Sequence, residues 1–485
     1  MKPIQIDNRQ EELFQPRLCG QLNQKNELLV LGRMIPWNDL EVEFFDLYQS
    51  ERNVGGQPPK PIRLMIGILL LQHLHNLSDE QVVRGWVENP YWQHFCGYDF
   101  LQWEFPINPS SLTRFRKRLG SKRLQKILSL TVSVALKSEA VKVKDLRKVI
   151  VDTTVMPKNI EFPTDSKLYD KARKKLVRLA NKHGINLRQN YNLIAKILLR
   201  KISGYLHAKQ MKRAKKTIKH LKTIVGRVAR DVERKIQSQI SPEVTKNLLE
   251  TFTPILNQAR QILAQERKDK NKIYSLHEPD VHCISKGKAH KRYEFGCKVS
   301  LAITNKQGLV IDSQALPGNP YDGHTLKPAL ESAEKITGIK IDSATVDRGY
   351  KGHGVEDDPL RNHTKIFISG QRRGLSNAIK KQLKRRSAIE PMIGHMKQEG
   401  KLGLCRLKGI IGDQLNALLT GVGHNLRLIL NHIRKLLKLG KLGKFFAQIL
   451  LRLLEIFLPK TYQLENVENG KWVLQRGLNN NRLQI

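Results

Sequence analysis

The spacing of apolar positions changes several times along this chain, and each change marks an element. The segment 62-IRLMIGILLLQHLHNL-77 is apolar nearly all round and predicts a buried helix. Ser78, with Gln81 three residues on, carries the capping-box pattern and opens a helix over 79-DEQVVRGWVENP-90. A third helix is expected around Tyr91–Cys96. A fourth, 110-SSLTRFRKRLG-120, starts on a capping serine and stops at Gly120. It puts Leu112, Phe115 and Leu119 on one face and Arg114, Arg116, Lys117 and Arg118 around the rest. A compact helical set ending in a basic helix fits a helix-turn-helix DNA reader and equally a plain bundle with a solvated basic face.

Around 141-VKVKDLRKVIVDTTVMPKNI-160 the texture turns to β, and Val149, Ile150 and Val151 run into Asp152 as a strand that ends at an acid. A helix-permissive stretch follows to about Lys270. Strand texture returns at 273-IYSLHEP-279 and at 292-RYEFGCKVSLAIT-304, where Tyr293, Phe295, Val299, Leu301 and Ile303 partly alternate. The loop Asn305–Gly308 and the segment 309-LVIDSQALP-317 complete a hairpin. The turn 318-GNPYDGH-324 opens a helix over 325–338, and 340-KIDSATVDRGYKG-352 reads as a strand ending at Asp347 with glycines just beyond. A strand over 364–370 precedes 382-QLKRRSAIEPMIGHMKQEGKLGLCRLKG-409, which is helical up to Gly400; Pro391 is tolerated where a helix begins or kinks.

The expected organisation is a lead-in over 1–55, ending in the breaker-rich 53–61, and a helical DNA-binding domain over 56–140. A mixed α/β core over 141–164 and 271–412 follows, interrupted by a basic helical insertion over 165–270. Amphipathic helices over 413–460 and a loosely held polar tail over 461–485 close the chain.

Charge narrows the partners. The chain has 85 Lys and Arg against 44 Asp and Glu, a net charge of +41. A densely anionic partner follows; the nucleic-acid backbone is the commonest one, and an anionic membrane surface is its rival. From 181 to 230 there are 14 Lys and Arg and no Asp or Glu. Such a run repels itself unless an anion comes near, so nucleic-acid contact is favoured there. The five cysteines are scattered without a C-x-x-C pair, which points to a reducing compartment and away from disulfides and zinc. No apolar leader and no run of about 18 apolar residues is seen, so a soluble, cytoplasmic protein without a membrane partner is expected.

The chemistry lies in the acids. Two strands ending in Asp152 and Asp347, and a following helix bearing Glu390, can bring three carboxylates to one sheet edge. They would repel one another unless cations filled the space, and hard oxygen ligands suit Mg²⁺ or Mn²⁺. Two such ions roughly 4 Å apart can drive an in-line phosphodiester displacement. At helical spacing Arg386 lies one turn before Glu390 and Lys397 two turns after, all on one face. Asp312 and Asp342 also sit in β-texture and compete with Asp347 as the second ligand; the glycines after Asp347 leave room for substrate. Asp322 and His324 read as turn formers and a helix cap. Tyr350 reads as a DNA contact or as packing.

The segments 151-VDTTVMPKNI-160, 346-VDRGYKG-352 and 386-RSAIEPMIGHMK-397, in this order, resemble the DDE transposases of bacterial insertion sequences, in the group comprising insertion-sequence families four and five. The third matches the family signature of Tyr, Arg, Glu and Lys at Arg386, Glu390 and Lys397, and departs from it at Leu383, where the signature has Tyr. The segment 108-NPSSLTRFRKRLG-120 resembles part of the family's N-terminal domain, and the likeness spans roughly residues 40–430. The resemblance implies a ribonuclease-H-like core in which Asp152, Asp347 and Glu390 hold two Mg²⁺ (or Mn²⁺) ions. It further implies cleavage of double-stranded DNA at the element's terminal inverted repeats, followed by attack of the freed 3′-hydroxyl on target DNA. Arg386 and Lys397 would grip phosphates. Arg114, Arg116, Lys117 and Arg118 would contact DNA, and paired ends suggest a homodimer. The competing expectations are a ribonuclease-H-like nuclease or resolvase without strand transfer, and a non-catalytic basic nucleic-acid-binding protein.

Overall fold

In the computed structural model the described residues are 14–48, 59–239, 241–285, 292–355, 363–370 and 376–457, with three short strands beyond. Seven helices come first: α1 (Leu18–Gln21), α2 (Glu27–Met34), α3 (Trp37–Phe44), α4 (Ile62–Leu74), α5 (Asp79–Glu88), α6 (Pro90–Phe95) and α7 (Ser110–Lys137). The lead-in is thus more structured than expected, while most of the breaker-rich 53–61 lies outside the described residues. In α4 every residue but Arg63 is buried, as its all-round apolar pattern requires. The Ser78–Gln81 capping box is formed in both directions. Gly120 does stop a helix: at φ 63° and ψ 177° it breaks α7 into two segments. The first of these is capped by Asn108, whose Oδ1 accepts from the Ser110 amide at 3.0 Å, in place of the expected serine.

After α8 (Val143–Leu146) the chain enters the sheet: β1 (Lys148–Pro157), β2 (His282–Ile284), β3 (Glu294–Thr304), β4 (Val310–Leu316), β5 (Ser343–Val346) and β6 (Lys365–Ile368). The order is β2-β3-β1-β5-β6, with β4 also paired to β3. β1 is antiparallel to β3 and parallel to β5, and β5 is parallel to β6. This mixed α/β, ribonuclease-H-like arrangement is the fold class the strand pattern and resemblance predicted. The expected β3–β4 hairpin is present. Two expectations fail. β1 does not end at Asp152 but runs on to Pro157, because β3 pairs with it over that whole length. Residues 273–279 form no strand: Ile273 and Leu276 are buried against the helices before them.

Those helices are the insertion: α9 (Asp165–Lys182), α10 (Asn192–His207), α11 (Met211–Gln237) and α12 (Pro242–Ala264). They enclose a core of their own, built from residues such as Leu176, Leu221, Ile224, Val228 and Phe252. After the sheet come α13 (Asp322–Thr337), α14 (Asn377–Arg385), α15 (Ile389–Gln398) and α16 (Gly409–Phe457).

The first half of α16 is a spine rather than a peripheral amphipathic helix. Leu415, Leu418, Leu419, Val422, Leu426 and Ile429 are buried in the main core. Asn425 accepts from the Val310 amide, donates to the Val310 carbonyl, each at 2.8 Å, and donates to Thr131 Oγ1 at 2.9 Å. One side chain therefore ties sheet, spine and α7 together. The N-terminal helices and the sheet share this core, so the boundary expected at 140 separates sequence textures and not hydrophobic cores. At the C-terminus, β7 (Tyr462–Val467), β8 (Lys471–Arg476) and β9 (Arg482–Gln484) form an antiparallel sheet where a loose tail was expected. No helix among the described residues is long and apolar enough to cross a membrane.

Candidate active site

β1 and β5 pair from Lys148↔Ser343 to Ile150↔Thr345, and continuing that register sets Asp152 level with Asp347 on the neighbouring strand. Asp152 Oδ1 accepts from the Thr153 amide at 2.7 Å, and Asp347 Oδ1 accepts from the Gly349 amide at 2.8 Å. These bonds orient the carboxylates. Each Oδ2 faces the same guanidinium: Arg386 Nη2 is 3.3 Å from Asp152 and 3.6 Å from Asp347. Nη1 donates to Glu390 Oε1 at 3.0 Å.

The helix that carries Arg386 and Glu390 is built in three pieces. α14 ends at Arg385, a single 3₁₀ turn spans Arg386–Ala388, and α15 begins at Ile389. Pro391 falls in the first turn of α15, where its missing amide breaks no helical bond. Lys397 lies two turns beyond Glu390 and is half-buried. The sequence pattern thus placed Asp152, Asp347, Glu390 and Arg386 in one cluster, and the structure assembles them around one positive charge.

The rival acids are elsewhere. Asp342 sits at the opposite end of β5, paired with Arg147. Asp312 is fully buried on β4, accepting from Ser332 Oγ at 2.7 Å and Gln314 Nε2 at 3.3 Å. Burial pushes its pKa up to about 7, against the partial opposition of those hydrogen bonds. The folded protein therefore keeps a proton that the unfolded chain releases near the ordinary carboxylate value. The contribution of Asp312 to stability is full below about pH 4 and falls as the pH rises toward about 7. Urea midpoints at the two ends of this window should differ less in Asp312→Asn than in the wild type; equal differences would contradict the assignment.

Asp322, read as a turn former, and Tyr350, read as a DNA contact or as packing, both belong to the site's surroundings. Asp322 Oδ1 accepts from Thr153 Oγ1 at 2.8 Å and from Lys298 Nζ at 3.0 Å. Tyr350 is buried, which settles it as packing; burial raises its hydroxyl's pKa, and Asp152, Asp322 and Asp347 push it further up. No sequence signal singled out Lys298, since it occupies an ordinary alternating strand position until the register of β3 is known.

The basic helix gives a mixed result. Arg114, Lys117 and Arg118 are exposed. Arg116 is not: it is buried at 5% exposure, ion-paired with Asp79 and donating to Gln72 Oε1 at 3.2 Å. The expectation that Arg116 contacts DNA is corrected, because its charge is already consumed in linking α7 to α4 and α5.

The three carboxylates share the Arg386 guanidinium as their counter-charge, and their hard oxygens are the donor type Mg²⁺ and Mn²⁺ take. As the side chains stand, Arg386 lies between the three acids, and among the described residues no group of three acidic, His or Cys side chains is gathered closely enough to hold a metal ion.

Comparison with known proteins agrees in two places. Residues 17–118 match the family described as Transposase domain (DUF772), and residues 266–426 match the Transposase DDE domain. Asp347, Arg386 and Glu390 fall within the second match; the strand of Asp152 and the helical insertion lie between the two. The chain is 44% identical over 210 residues to the uncharacterized protein ORF8 in the nfe locus of Rhizobium meliloti, an alignment that spans 43% of this chain and 100% of that protein. Two transposase matches in order along one chain, the second enclosing an acid from the sheet and an acid from the helix beside it, establish that the chain belongs to the DDE-type insertion-sequence transposases.

Proposed function

We propose that this transposase cleaves double-stranded DNA at the terminal inverted repeats of its element and joins the freed 3′-hydroxyl to target DNA. The observation that carries this is the convergence of Asp152, Asp347 and Glu390 on Arg386. Asp152 and Asp347, each held by a backbone amide, and Glu390 from α15 would hold divalent cations. Bound there, Mg²⁺ or Mn²⁺ would supply Lewis-acid activation of the attacking oxygen and neutralise charge on the leaving oxygen.

The remaining work belongs to the chain's own side chains. With the acids neutralised, the Arg386 guanidinium is released from three ion pairs and can grip a phosphodiester beside the scissile bond, with Lys397 further along the same helix. Arg114, Lys117 and Arg118 on α7, and the lysines and arginines of the insertion, supply phosphate contacts away from the reacting bond. The Arg386–Glu390–Lys397 spacing supports membership in the group of insertion-sequence families four and five, with Leu383 as its departure. Two element ends handled together favour a homodimer working in the cytoplasm, on the nucleoid.

A duplex ending in the element's terminal repeat, incubated with a plasmid target and Mg²⁺, tests the reading. Joined products are expected; nicked ends that never join would support the nuclease alternative, and binding without cleavage would support the non-catalytic one. The same duplex tests the charge argument. Affinity should fall about 10³-fold or more between 50 and 200 mM salt if six or more phosphates are engaged. A slope near zero would leave the net charge of +41 unexplained.

A further inference from the structure

The ladder between β1 and β5 stops at Ile150↔Thr345, two residues short of Asp152 and Asp347. β1 continues, but its partner beyond that point is β3 on the other edge. Sheet hydrogen bonds therefore do not set the gap between the two aspartates, although a working ligand set needs its members held to within about 0.5 Å.

The turn before α13 spans that gap. Lys298 on β3 donates to the Pro320 carbonyl at 2.7 Å, and the Tyr321 hydroxyl donates to the Lys351 carbonyl at 2.9 Å, at the far end of the Asp347 turn. Asp322 reaches the neighbours of both acids. Its Oδ1 accepts from Thr153, the residue after Asp152. Its Oδ2 lies against Gly349, whose amide holds Asp347. A Cβ at position 349 would come 3.0 Å from Asp347 Oδ1 and 3.3 Å from Asp322 Oδ2, so glycine is what lets both carboxylates close on this turn.

We propose that Asp322 is a positioning residue that sets the separation of Asp152 and Asp347, acting through Thr153 and the Gly349 turn. Lys298, whose ammonium is 3.0 Å from Asp322 and nearly buried, neutralises it so that it braces the site and does not compete as a further ligand. The inference rests on the reading of Asp152 and Asp347 as metal ligands.

The test is Mn²⁺ binding to the full chain without DNA, followed by electron paramagnetic resonance of free Mn²⁺. Asp152→Asn serves as the site control. Thr153→Val removes the hydroxyl at nearly constant volume and should weaken Mn²⁺ binding about tenfold, with an unchanged circular dichroism spectrum and metal-free melting temperature. Asp322→Ala should weaken Mn²⁺ binding equally, and by leaving Lys298 without its partner it should also lower the melting temperature. Asp322→Asn should lose less, since an amide oxygen still accepts from Thr153. Wild-type Mn²⁺ affinity in Thr153→Val and Asp322→Ala, with or without a lower melting temperature, overturns the proposal. So does a loss in Asp322→Ala that Thr153→Val does not share, which would make Asp322 a direct ligand. If Asp152→Asn itself binds Mn²⁺ like the wild type, the metal reading fails and this inference falls with it.

Discussion

Asp152→Asn should lower the rate of DNA cleavage by about three orders of magnitude or more, while leaving DNA affinity nearly unchanged. Asn keeps the size of the side chain and can still accept from the Thr153 amide, so the local geometry survives. What goes is one negative charge, and with it a large part of the several kcal/mol that a bound divalent ion contributes to a phosphodiester transition state; each 1.36 kcal/mol is tenfold in rate. Binding is expected to be spared because the phosphate contacts proposed for α7 and the insertion lie away from Asp152. Folding is spared as well, since Arg386 retains Asp347 and Glu390 as partners. A filter-binding assay and a gel-based cleavage assay on the same preparation decide it. Cleavage at the wild-type rate would remove Asp152 from the mechanism.

Lys158→Met should be the most destabilising single change, by about 3–5 kcal/mol. Lys158 lies just past the end of β1 with its side chain 3% exposed, and its ammonium is 2.7 Å from Asp413 and 3.1 Å from Glu278. Burial alone would lower its pKa, but the hydrogen bonds to these two acids outweigh that and hold it raised. Glu278 also accepts from the Gly409 amide, at 3.0 Å, so this one cluster fixes the start of α16 to the end of β1 and to the segment leaving the insertion. Methionine fills similar space but leaves two buried carboxylates without a counter-charge, and that cost is what the experiment reads. Urea unfolding of Lys158→Met, and of a triple variant that also carries Asp413→Asn and Glu278→Gln, separates the terms. The single variant should lose most, and the triple variant should recover part of the loss. A loss below about 1 kcal/mol in the single variant would show that the cluster is hydrated.

What could be read from the chain alone follows a physical division. Capping, helix termination and short-range pairing involve residues within a few positions of one another, so their signals survive in one dimension. The Ser78–Gln81 box, the break at Gly120, the all-apolar α4 and the β3–β4 hairpin are all of this kind. The two proposed strand acids were legible for a related reason: an acid at the end of an apolar run, followed at Asp347 by glycines, is a local pattern even when its partner is nearly two hundred residues away. Arg386 and Glu390 were legible through helical spacing.

The failures are all questions of what lies opposite. The basic stripe on α7 looked uniform, yet Arg116 turns inward because Asp79 and Gln72 meet it there. Asp152 looked like a strand end because the apolar run stops, whereas β3 carries β1 on to Pro157. The segment 273–279 has strand-like texture, yet its Ile273 and Leu276 complete the insertion's core.

By itself, then, the sequence determined the fold class, the order of the elements, the basic character that suits a polyanionic partner, and three acids with one arginine among them. Tertiary structure decided the rest. It placed α16 as the spine shared by sheet and N-terminal helices, buried Arg116, and brought Lys298 and Asp322 beside the aspartates. The reason is that local propensity and periodicity are properties of neighbouring residues, while the fate of a charged side chain depends on which counter-charge the fold delivers to it.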